Sequence, residues 1–251
     1  MTQAQKAAQF KALHRPGDPL VLYNIWDAGG AKALVKVGAK AVATGSWSVA
    51  DAQGYPDGEV IPLSLLEQIA ARIAATVDVP VSVDFEGCYS AAPEGVGENV
   101  ARILKAGAIG INFEDRIVQG AGLYAVDDQV ARIKAARAAG EAAGVPFFIN
   151  ARTDLFLQSD AEAHGDHMGE ALERAAAYAE AGADGFFVPG LGDADLIGQI
   201  VDGVGLPVNV MNGGRVLIAD LAALGVARVS FGPTPYRWAL KDMVARFEGI
   251  S

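Results

Sequence analysis

Short β-branched or aromatic apolar runs alternate with alanine-rich stretches along almost all of the 251 residues of this chain. Such alternation is typical of repeated β-α units built around a parallel sheet. The runs are nearly continuous in apolar character, which indicates strands that are buried on both faces. The predicted strands are Leu20–Asp27, Ala41–Ser46, Val79–Glu86, Gly110–Asp115, Pro146–Arg152, Gly185–Gly190, Leu206–Met211 and Arg228–Pro233.

Proline and glycine punctuate these runs in a regular rhythm. Proline suits the first residue of a strand, and glycine supplies the left-handed cap that ends a helix. The odd-numbered strands begin at Pro19, Pro80, Pro146 and Pro207, and the even-numbered strands follow Gly38, Gly107, Gly182 and Gly225. A rhythm repeated four times predicts a (β/α)8 TIM barrel, formed by a single domain over residues 1–251 with an N-terminal helix. The alternative is an open doubly wound sheet, but no Gly-x-Gly-x-x-Gly follows the first strand.

The composition argues against several classes of partner and cellular location. The formal net charge is −10 and no basic stripe stands out, so we expect no nucleic-acid partner. No apolar run approaches the roughly 18 residues that would cross a bilayer, and the amino terminus lacks the layout of a secretion signal. A single cysteine fits a reducing compartment, and we expect a cytoplasmic protein without a membrane partner.

Acidic residues gather at the carboxyl ends of the predicted strands, where barrel enzymes build their sites. Carboxylates packed on one rim repel one another unless a cation separates them, and carboxylate oxygens with water suit Mg²⁺, with Mn²⁺ as the alternative ion. We therefore predict a metal site at Asp84, Glu86 and Glu114. Asp84 and Glu86 stand two residues apart, which would place both side chains on one face of the third strand. Asp27, Asp115 and Asp154 also lie at strand ends. For these three, the alternative to metal binding is helix capping or a supporting role.

Two further features favour binding of a carboxylate. Arg152 offers a fork of donors that matches a carboxylate or an enolate, although a buried salt bridge is its alternative role. Gly45 and Ser46 stand at a strand-to-loop turn that could present backbone N–H groups to a carboxylate.

These motifs together resemble a known family. The order Thr44-Gly45-Ser46, Gly54-Tyr55-Pro56-Asp57, Val83-Asp84-Phe85-Glu86-Gly87, Asn112-Phe113-Glu114-Asp115 and Asn150-Ala151-Arg152-Thr153-Asp154 is similar to that of the isocitrate lyase/phosphoenolpyruvate mutase superfamily. The resemblance runs over almost the whole chain. It implies a (β/α)8 barrel, chemistry through a pyruvate-like enolate, and a homodimer or homotetramer.

The resemblance also implies roles for individual residues. Mg²⁺ would be held by Asp84, with Asp57, Glu86 and Glu114 nearby and largely acting through water. The residues expected to carry catalysis are Arg152, Glu114 and Asp57. The residues expected to contact the substrate are Trp26, Thr44, Gly45, Ser46, Arg152 and Asn209.

The loop after the fourth strand departs from the family pattern. The family's lyases carry a Lys-(Lys/Arg)-Cys-Gly-His sequence there and its phosphonate enzymes an asparagine, but this chain has neither between Arg116 and Tyr124. Tyr124 is a candidate replacement acid, with loop packing as its more typical role. Decarboxylation or retro-cleavage of a 2-oxo acid needs fewer donors than cleavage of a 2-hydroxy acid, because a metal can stabilise the enolate.

We therefore predict a Mg²⁺-dependent lyase acting on a small 2-oxo-carboxylate. The alternatives are a phosphonate P–C bond enzyme of the phosphonomutase or phosphonopyruvate-hydrolase type and a non-catalytic 2-oxo-acid-binding protein. A phosphate-handling barrel is a further rival, since Asn212-Gly213-Gly214 and Gly232-Pro233-Thr234 could cradle phosphate.

Two long segments are predicted as loops, Trp47–Ile61 and Leu155–Gly169. His164 and His167 in the second are interpreted as residues of a mobile surface lid rather than as a metal pair.

Overall fold

The computed structural model describes residues 1–214 and 216–250 and confirms a (β/α)8 barrel. Its parallel strands are β1 (Leu20–Leu22), β2 (Val42–Ala43), β3 (Val81–Asp84), β4 (Gly110–Glu114), β5 (Phe148–Arg152), β6 (Gly185–Val188), β7 (Val208–Met211) and β8 (Arg228–Ser230). Hydrogen-bonded ladders join them in the order β1-β8-β7-β6-β5-β4-β3-β2. A parallel bridge between Ile25 and Thr44, just beyond β1 and β2, links the two remaining edges.

Helices surround the barrel. They are α1 (Gln3–Ala12), α2 (Ala28–Lys36), α3 (Ser46–Ala52), α4 (Leu63–Thr76), α5 (Pro93–Lys105), α6 (Val126–Ala142), α7 (Met168–Glu180), α8 (Ala194–Gly203), α9 (Ile218–Ala223) and α10 (Thr234–Glu248), with a 3₁₀ helix at Ala161–His167. None of these described helices is long and apolar enough to span a membrane.

The proline and glycine rhythm has the predicted structural basis. Gly38, Gly107, Gly182 and Gly225 have φ angles of 102°, 99°, 103° and 82°. A side chain at such angles would be strained, whereas glycine adopts them freely and ends the helix. The strands start one or two residues after their prolines, because proline stops the preceding segment without donating to the ladder.

The predicted strands were too long, and two predicted loops contain helices. The first predicted strand ran on to Asp27, which instead caps α2 by accepting a hydrogen bond from Gly30 N–H at 2.6 Å. Helix α3 begins at Ser46, inside what was predicted as strand and loop. The lid interpretation is wrong for His164, whose buried ring packs edge-on against Phe156 at 5.2 Å.

Helix α1 closes the amino-terminal end of the barrel. Phe10 is fully buried and meets the Phe148 ring edge-on at 5.2 Å, and His14 stacks on Phe148 at 4.2 Å. The Thr2 side chain and Gln5 form a capping box that starts the helix. This end of the barrel is therefore sealed by aromatic packing.

Helix α10 packs differently from the others. Only Pro235 and Tyr236 of this helix are buried, and residues 241–250 are all exposed. The outer face of β1 is correspondingly uncovered, since Val21 is 42% exposed and Tyr23 37%. An outer helix normally covers each barrel strand, so this part of the surface lacks its cover within the described residues of one chain.

Candidate active site

A cavity of about 220 Å³ opens at the carboxyl ends of the strands. Asp57, Asp84 and Arg152 line it, as do Gly45 and Ser46. These residues reach the cavity from the loop after β2, from the end of β3 and from the end of β5. The structure thus brings five of the predicted site residues to one small space.

Asp84 is held by groups from neighbouring strands. One carboxylate oxygen accepts a hydrogen bond from Ser46 N–H at 3.0 Å, and the other accepts from Asn112 Nδ2 at 3.3 Å. Its own backbone N–H donates to Thr44 Oγ1 at 2.9 Å. Hydrogen bonds of this kind fix the direction of a carboxylate.

The Asn112 side chain is oriented by a layer of buried amides and an arginine. Its Oδ1 accepts from Asn150 Nδ2 at 2.9 Å and from Arg228 Nη2 at 3.0 Å. Because both donors occupy the oxygen side, the NH₂ group of Asn112 faces Asp84. Arg228, an inward-facing residue of β8 that the sequence analysis did not single out, therefore supports the site from below.

The prediction that Glu86 and Asp84 share one face of the third strand is wrong. Strand β3 ends at Asp84, and Glu86, Cys88 and Tyr89 follow with φ angles of 49°, 61° and 56°. Each left-handed non-glycine residue costs roughly 1–2 kcal/mol, so surrounding contacts must hold this turn. Arg132 supplies two of them by donating to Gly87 O at 2.7 Å and Ser90 O at 3.2 Å.

The carboxylates around the cavity repel one another. Burial, followed by the charges of Asp57, Glu114 and Asp84, raises the pKa of Glu86 to about 9. Burial and the charge of Asp84 also raise the pKa of Asp57 from its ordinary value, although Arg152 opposes the rise. The convergence of acids expected from the sequence is therefore present, and it is electrostatically unfavourable without a cation.

Arg152 is clamped between two carboxylates. Its Nη1 lies 2.9 Å from Glu114 Oε2, and its Nε and Nη2 donate to the two oxygens of Asp154 at 2.5 and 2.9 Å. Burial raises the pKa of Glu114, and the charge of Arg152 works against that rise. The guanidinium lines the cavity while Glu114 lies buried behind it, so Glu114 orients Arg152.

Several predicted substrate contacts lie outside the cavity wall. Trp26 packs edge-on against Tyr236 at 4.9 Å, and Asn209 is buried against Ser230 with 3.2 Å between Nδ2 and Oγ. Thr44 lies beneath Asp84. The Gly45 N–H donates to Ile25 O at 3.2 Å and the Ser46 N–H to Asp84, so both groups predicted for a substrate carboxylate have acceptors within the chain. The substrate-binding role of these residues stays a prediction.

Other residues line the cavity without having been predicted to do so. The most informative are Asn24, Trp47, Asn112 and Arg237. Asn24 Oδ1 accepts from the N–H groups of Phe231 and Gly232 at 2.9 and 3.0 Å, and so ties β1 to the loop after β8. Arg237 belongs to α10, whose position at the rim no periodicity in the sequence indicates.

Asp115 and Tyr124 have structural roles. Asp115 is fully buried, accepts from Tyr178 Oη at 2.8 Å and pairs with Arg174 at 3.2 Å. The Tyr124 ring lies 3.9 Å from the Arg132 guanidinium and is not part of the cavity wall. Tyr124 ends a hairpin after β4, in which Arg116 and Leu123 form an antiparallel bridge. This hairpin also contacts the loop that contains Asp57, because Gln119 Nε2 donates to Gly58 O at 2.9 Å.

The donor set fits a metal ion that touches few protein atoms. Across residues 1–214 and 216–250, no three His, Cys, Asp or Glu side chains come together to enclose an ion directly. Glu86 Oε2 is nevertheless buried with no hydrogen-bond partner, and it lies among like charges that a cation would relieve. Mg²⁺ usually retains several waters and uses one or two carboxylates. The arrangement therefore suits Mg²⁺ bound largely through water.

Comparisons with known proteins extend over most of the chain. The sequence model of one family, phosphoenolpyruvate phosphomutase, matches residues 10–251. An uncharacterized protein of Mycobacterium tuberculosis is 36% identical over 227 residues, covering 90% of this chain and 83% of that protein. The oxaloacetate decarboxylase of Ectopseudomonas mendocina is 30% identical over 207 residues, covering 77% and 67%. The crystal structure of a candidate phosphonomutase from Burkholderia cenocepacia has a TM-score of 0.97 and 46% identity, covering 100% of both chains.

Proposed function

Because this chain belongs to the phosphoenolpyruvate phosphomutase family, we propose that it is a Mg²⁺-dependent lyase acting on a small 2-oxo-carboxylate. The reaction would break a C–C bond, by decarboxylation or retro-cleavage, and pass through a pyruvate-like enolate. The observation that carries this proposal is the shared cavity of Asp57, Asp84 and Arg152. The likeness to an oxaloacetate decarboxylase adds support.

The metal would be held mainly by the acids on one side of the cavity. Asp84 would hold Mg²⁺, with Mn²⁺ as the alternative ion, and Asp57, Glu86 and Glu114 would lie nearby and act largely through water. When bound, the ion would draw electron density from the oxo and carboxylate oxygens of the substrate. Asp84 is already oriented for this role by Ser46 and Asn112.

The chain's own residues would then stabilise the developing charge. Arg152 presents its guanidinium to the cavity in a direction fixed by Glu114 and Asp154, and a preorganised donor of this kind acts where charge develops. As the C–C bond breaks, its electron pair passes into the enolate and the lost fragment leaves, as CO₂ in a decarboxylation. Water would then protonate the enolate carbon, because the hairpin after β4 supplies no cysteine, histidine or lysine.

Two other functions are favoured by particular observations. A P–C bond enzyme is supported by the family match and by the 46% identity to a candidate phosphonomutase. A 2-oxo-acid-binding protein without turnover is supported by the composition of the hairpin after β4.

A product screen by proton and phosphorus NMR separates these functions. Purified protein with Mg²⁺ would receive oxaloacetate, phosphonopyruvate or 2-methylisocitrate, with an EDTA control for each. We expect pyruvate from oxaloacetate above the uncatalysed rate, loss of that excess with EDTA, and loss in Asp84→Asn. Asp160→Asn is the matched control, because Asp160 is exposed and makes no capping hydrogen bond.

Other outcomes of the screen would replace the proposal. Release of phosphate from phosphonopyruvate, or its rearrangement to an enol phosphate, without turnover of oxaloacetate would favour the P–C enzyme. Broadening of a 2-oxo-acid resonance by the protein, without turnover of any compound, would favour the binding protein.

We propose in addition that the protein is a homodimer or homotetramer in which α10 of one copy covers β1 of another. Met243, Val244 and Phe247 of α10 are 60%, 51% and 74% exposed, and the outer face of β1 lacks cover. Exposed apolar surface of this extent on both elements is typical of an interface. The assembly would be cytoplasmic, which the single buried cysteine supports.

Light scattering coupled to gel filtration tests this assembly. We expect Phe247→Asp to reduce the mass to that of a monomer. Ala245→Asp should leave the mass unchanged, because 100° per residue puts position 245 on the side of α10 opposite Phe247 and its apolar neighbours. A monomeric wild-type protein would refute the proposal.

A further inference from the structure

A second cavity, of about 570 Å³, lies beside the candidate active site. It is bounded by the segments that follow β6 and β7 and by the first turns of α10. Met211 and Arg237 line both cavities, so the two spaces adjoin at these side chains. The cavity that contains Asp84 and Arg152 is less than half as large, and small-molecule sites usually occupy roughly 300–1,000 Å³.

The walls of the second cavity are mainly apolar. The side chains that make them so are Leu191, Ile197, Val210, Val216, Leu221 and Trp238. The described polar side chains on its wall are Asn212, Thr234 and Arg237. A wall of this composition favours an alkyl chain, because burying apolar surface stabilises a complex by about 25 cal/mol per Å².

Arg237 differs from Arg152 in whether carboxylates pair with its guanidinium. Arg152 is paired with both Glu114 and Asp154, whereas Arg237 has no ion pair with any described residue. Its guanidinium instead lies 4.6 Å from the Trp47 ring centroid, and Trp47 meets Tyr236 edge-on at 5.8 Å. Stacking holds the guanidinium at the boundary of the two cavities while leaving its N–H groups able to bind an anion.

On the basis of the function proposed above, we infer that the second cavity is a substrate subsite and that Arg237 selects its ligand. The ligand class is a 2-oxo acid with an apolar chain that ends in an anionic group. The 2-oxo-carboxylate head would lie near Asp84 and Arg152. The chain would pass Met211 into the apolar cavity, and its terminal carboxylate would bind Arg237.

Calorimetric titration with a graded set of ligands tests this subsite in the presence of Mg²⁺. The probes are oxalate, pyruvate, 2-oxohexanoate and 2-oxoadipate, which share a planar oxygen-bearing head and differ in the chain. We expect 2-oxohexanoate to bind more tightly than pyruvate. We expect 2-oxoadipate to bind up to about fivefold more tightly than 2-oxohexanoate, since a partly exposed ion pair contributes up to about that factor.

Two variants separate the contributions of charge and space. Arg237→Met should remove the preference for 2-oxoadipate over 2-oxohexanoate. Gly213→Leu should remove the preference for 2-oxohexanoate over pyruvate, because Gly213 lines the cavity and an added Cβ would have room there. Among the described residues other than its chain neighbours, that Cβ would come within 4 Å of Thr234 Oγ1 alone, at 3.8 Å. Arg246→Met is the matched control, since Arg246 is an exposed arginine of α10 that lines neither cavity.

The oxalate arm distinguishes failure of the subsite from failure of the proposed function. If oxalate binds but pyruvate, 2-oxohexanoate and 2-oxoadipate bind equally, the subsite is refuted and the lyase proposal stands. If oxalate fails to bind with Mg²⁺ present, the head-group site is refuted and the subsite with it. Retention of the 2-oxoadipate preference in Arg237→Met would refute the role of that residue.

Discussion

The two ends of this barrel are built on opposite principles. At the amino-terminal end, Phe10, His14 and Phe148 close the barrel with ring contacts of 4.2–5.2 Å. At the carboxyl-terminal end, Asp57, Asp84 and Glu86 crowd together. Packing stabilises the amino-terminal end, whereas the carboxyl-terminal end contains crowded charges and a strained turn. Barrel enzymes commonly separate stability and function in this way.

A change of pH should affect the stability contributed by the two ends in opposite directions. Burial and the charge of Arg228 lower the pKa of His14 to about 3, so its contribution to stability is present above pH 6.5 and is lost as the pH falls. The pKa of Glu86 is raised to about 9, so its contribution is present below pH 4.5 and is lost as the pH rises. In the metal-free protein, each end should therefore limit stability at a different extreme of pH.

Loss of the Arg152 fork should have the largest effect of all. We expect Arg152→Met to lower kcat/KM by about 10³-fold, which corresponds to about 4 kcal/mol, because removal of a donor to developing charge typically costs 10²–10³-fold or slightly more. The variant also leaves Glu114 and Asp154 buried without their partner, which is destabilising. Steady-state kinetics together with thermal unfolding would separate the two effects.

Arg152→Lys is the second variant for this position. It keeps the charge and should restore most of the stability, but kcat/KM should remain at least about 10²-fold low, because an ammonium group cannot reproduce the planar fork. Wild-type kinetics in either variant would break the assignment of function to this end.

Shortening a side chain at the amino-terminal end should lower stability without lowering activity. We expect Phe10→Ala to lower the free energy of unfolding by about 3–5 kcal/mol, because a fully buried aromatic ring is lost, while kcat of the folded protein stays unchanged. Urea unfolding and kinetics below the transition would measure both. Val37→Ala, at an exposed position, should change stability by less than about 0.5 kcal/mol.

Neutralising Glu86 should stabilise the metal-free protein at high pH. Between pH 6 and 8 the wild type should lose about 3 kcal/mol more stability than Glu86→Gln, because the amide has no proton to release. Urea unfolding in EDTA at several pH values gives the slopes. Glu98→Gln, at an exposed position of α5, should follow the wild type. Equal slopes for the wild type and Glu86→Gln would show that the acids at this end do not repel as described.

Replacing His14 should have the smallest effect and the opposite sign. Between pH 6.5 and 5.5 we expect the wild type to lose about 1 kcal/mol that His14→Phe retains, because the unfolded histidine takes up a proton and the buried one does not. The measurement is urea unfolding at both pH values. A steeper acid loss in His14→Phe would contradict the buried neutral histidine.

Much of this architecture could be predicted because it depends on local signals. The position of each strand follows from apolar runs bounded by Pro and Gly residues. Gly107, for example, ends a helix through its own left-handed φ, which needs no contact with a distant part of the chain. The superfamily prediction is confirmed by the family match over residues 10–251. The ends of strands were less predictable. Asp27, for which helix capping was the alternative role, caps α2, and Ser46 starts α3.

Asp57 lies in a loop, and its place beside the cavity was expected from the family resemblance. The sequence pattern itself predicted the site best where one residue at a strand end decides the geometry. Asp84 and Arg152 are such residues, and both line the cavity. The shared face of Asp84 and Glu86 was wrong, because the chain leaves the strand at Asp84 and turns left-handed. Arg228 and Arg237 were missed because their roles depend on contacts with Asn112 and Trp47, which are far away in the sequence.

Titration of Mg²⁺ into metal-free protein, followed by calorimetry, tests whether the acids at the carboxyl-terminal end of the barrel converge to hold a divalent cation. We expect one Mg²⁺ to bind per chain in the wild type and in Asp160→Asn, with affinity at least about tenfold weaker in Asp84→Asn, since a lost ligand contact of 1.4 kcal/mol gives that factor. Absence of binding in the wild type, or equal affinity in Asp84→Asn, would contradict the account.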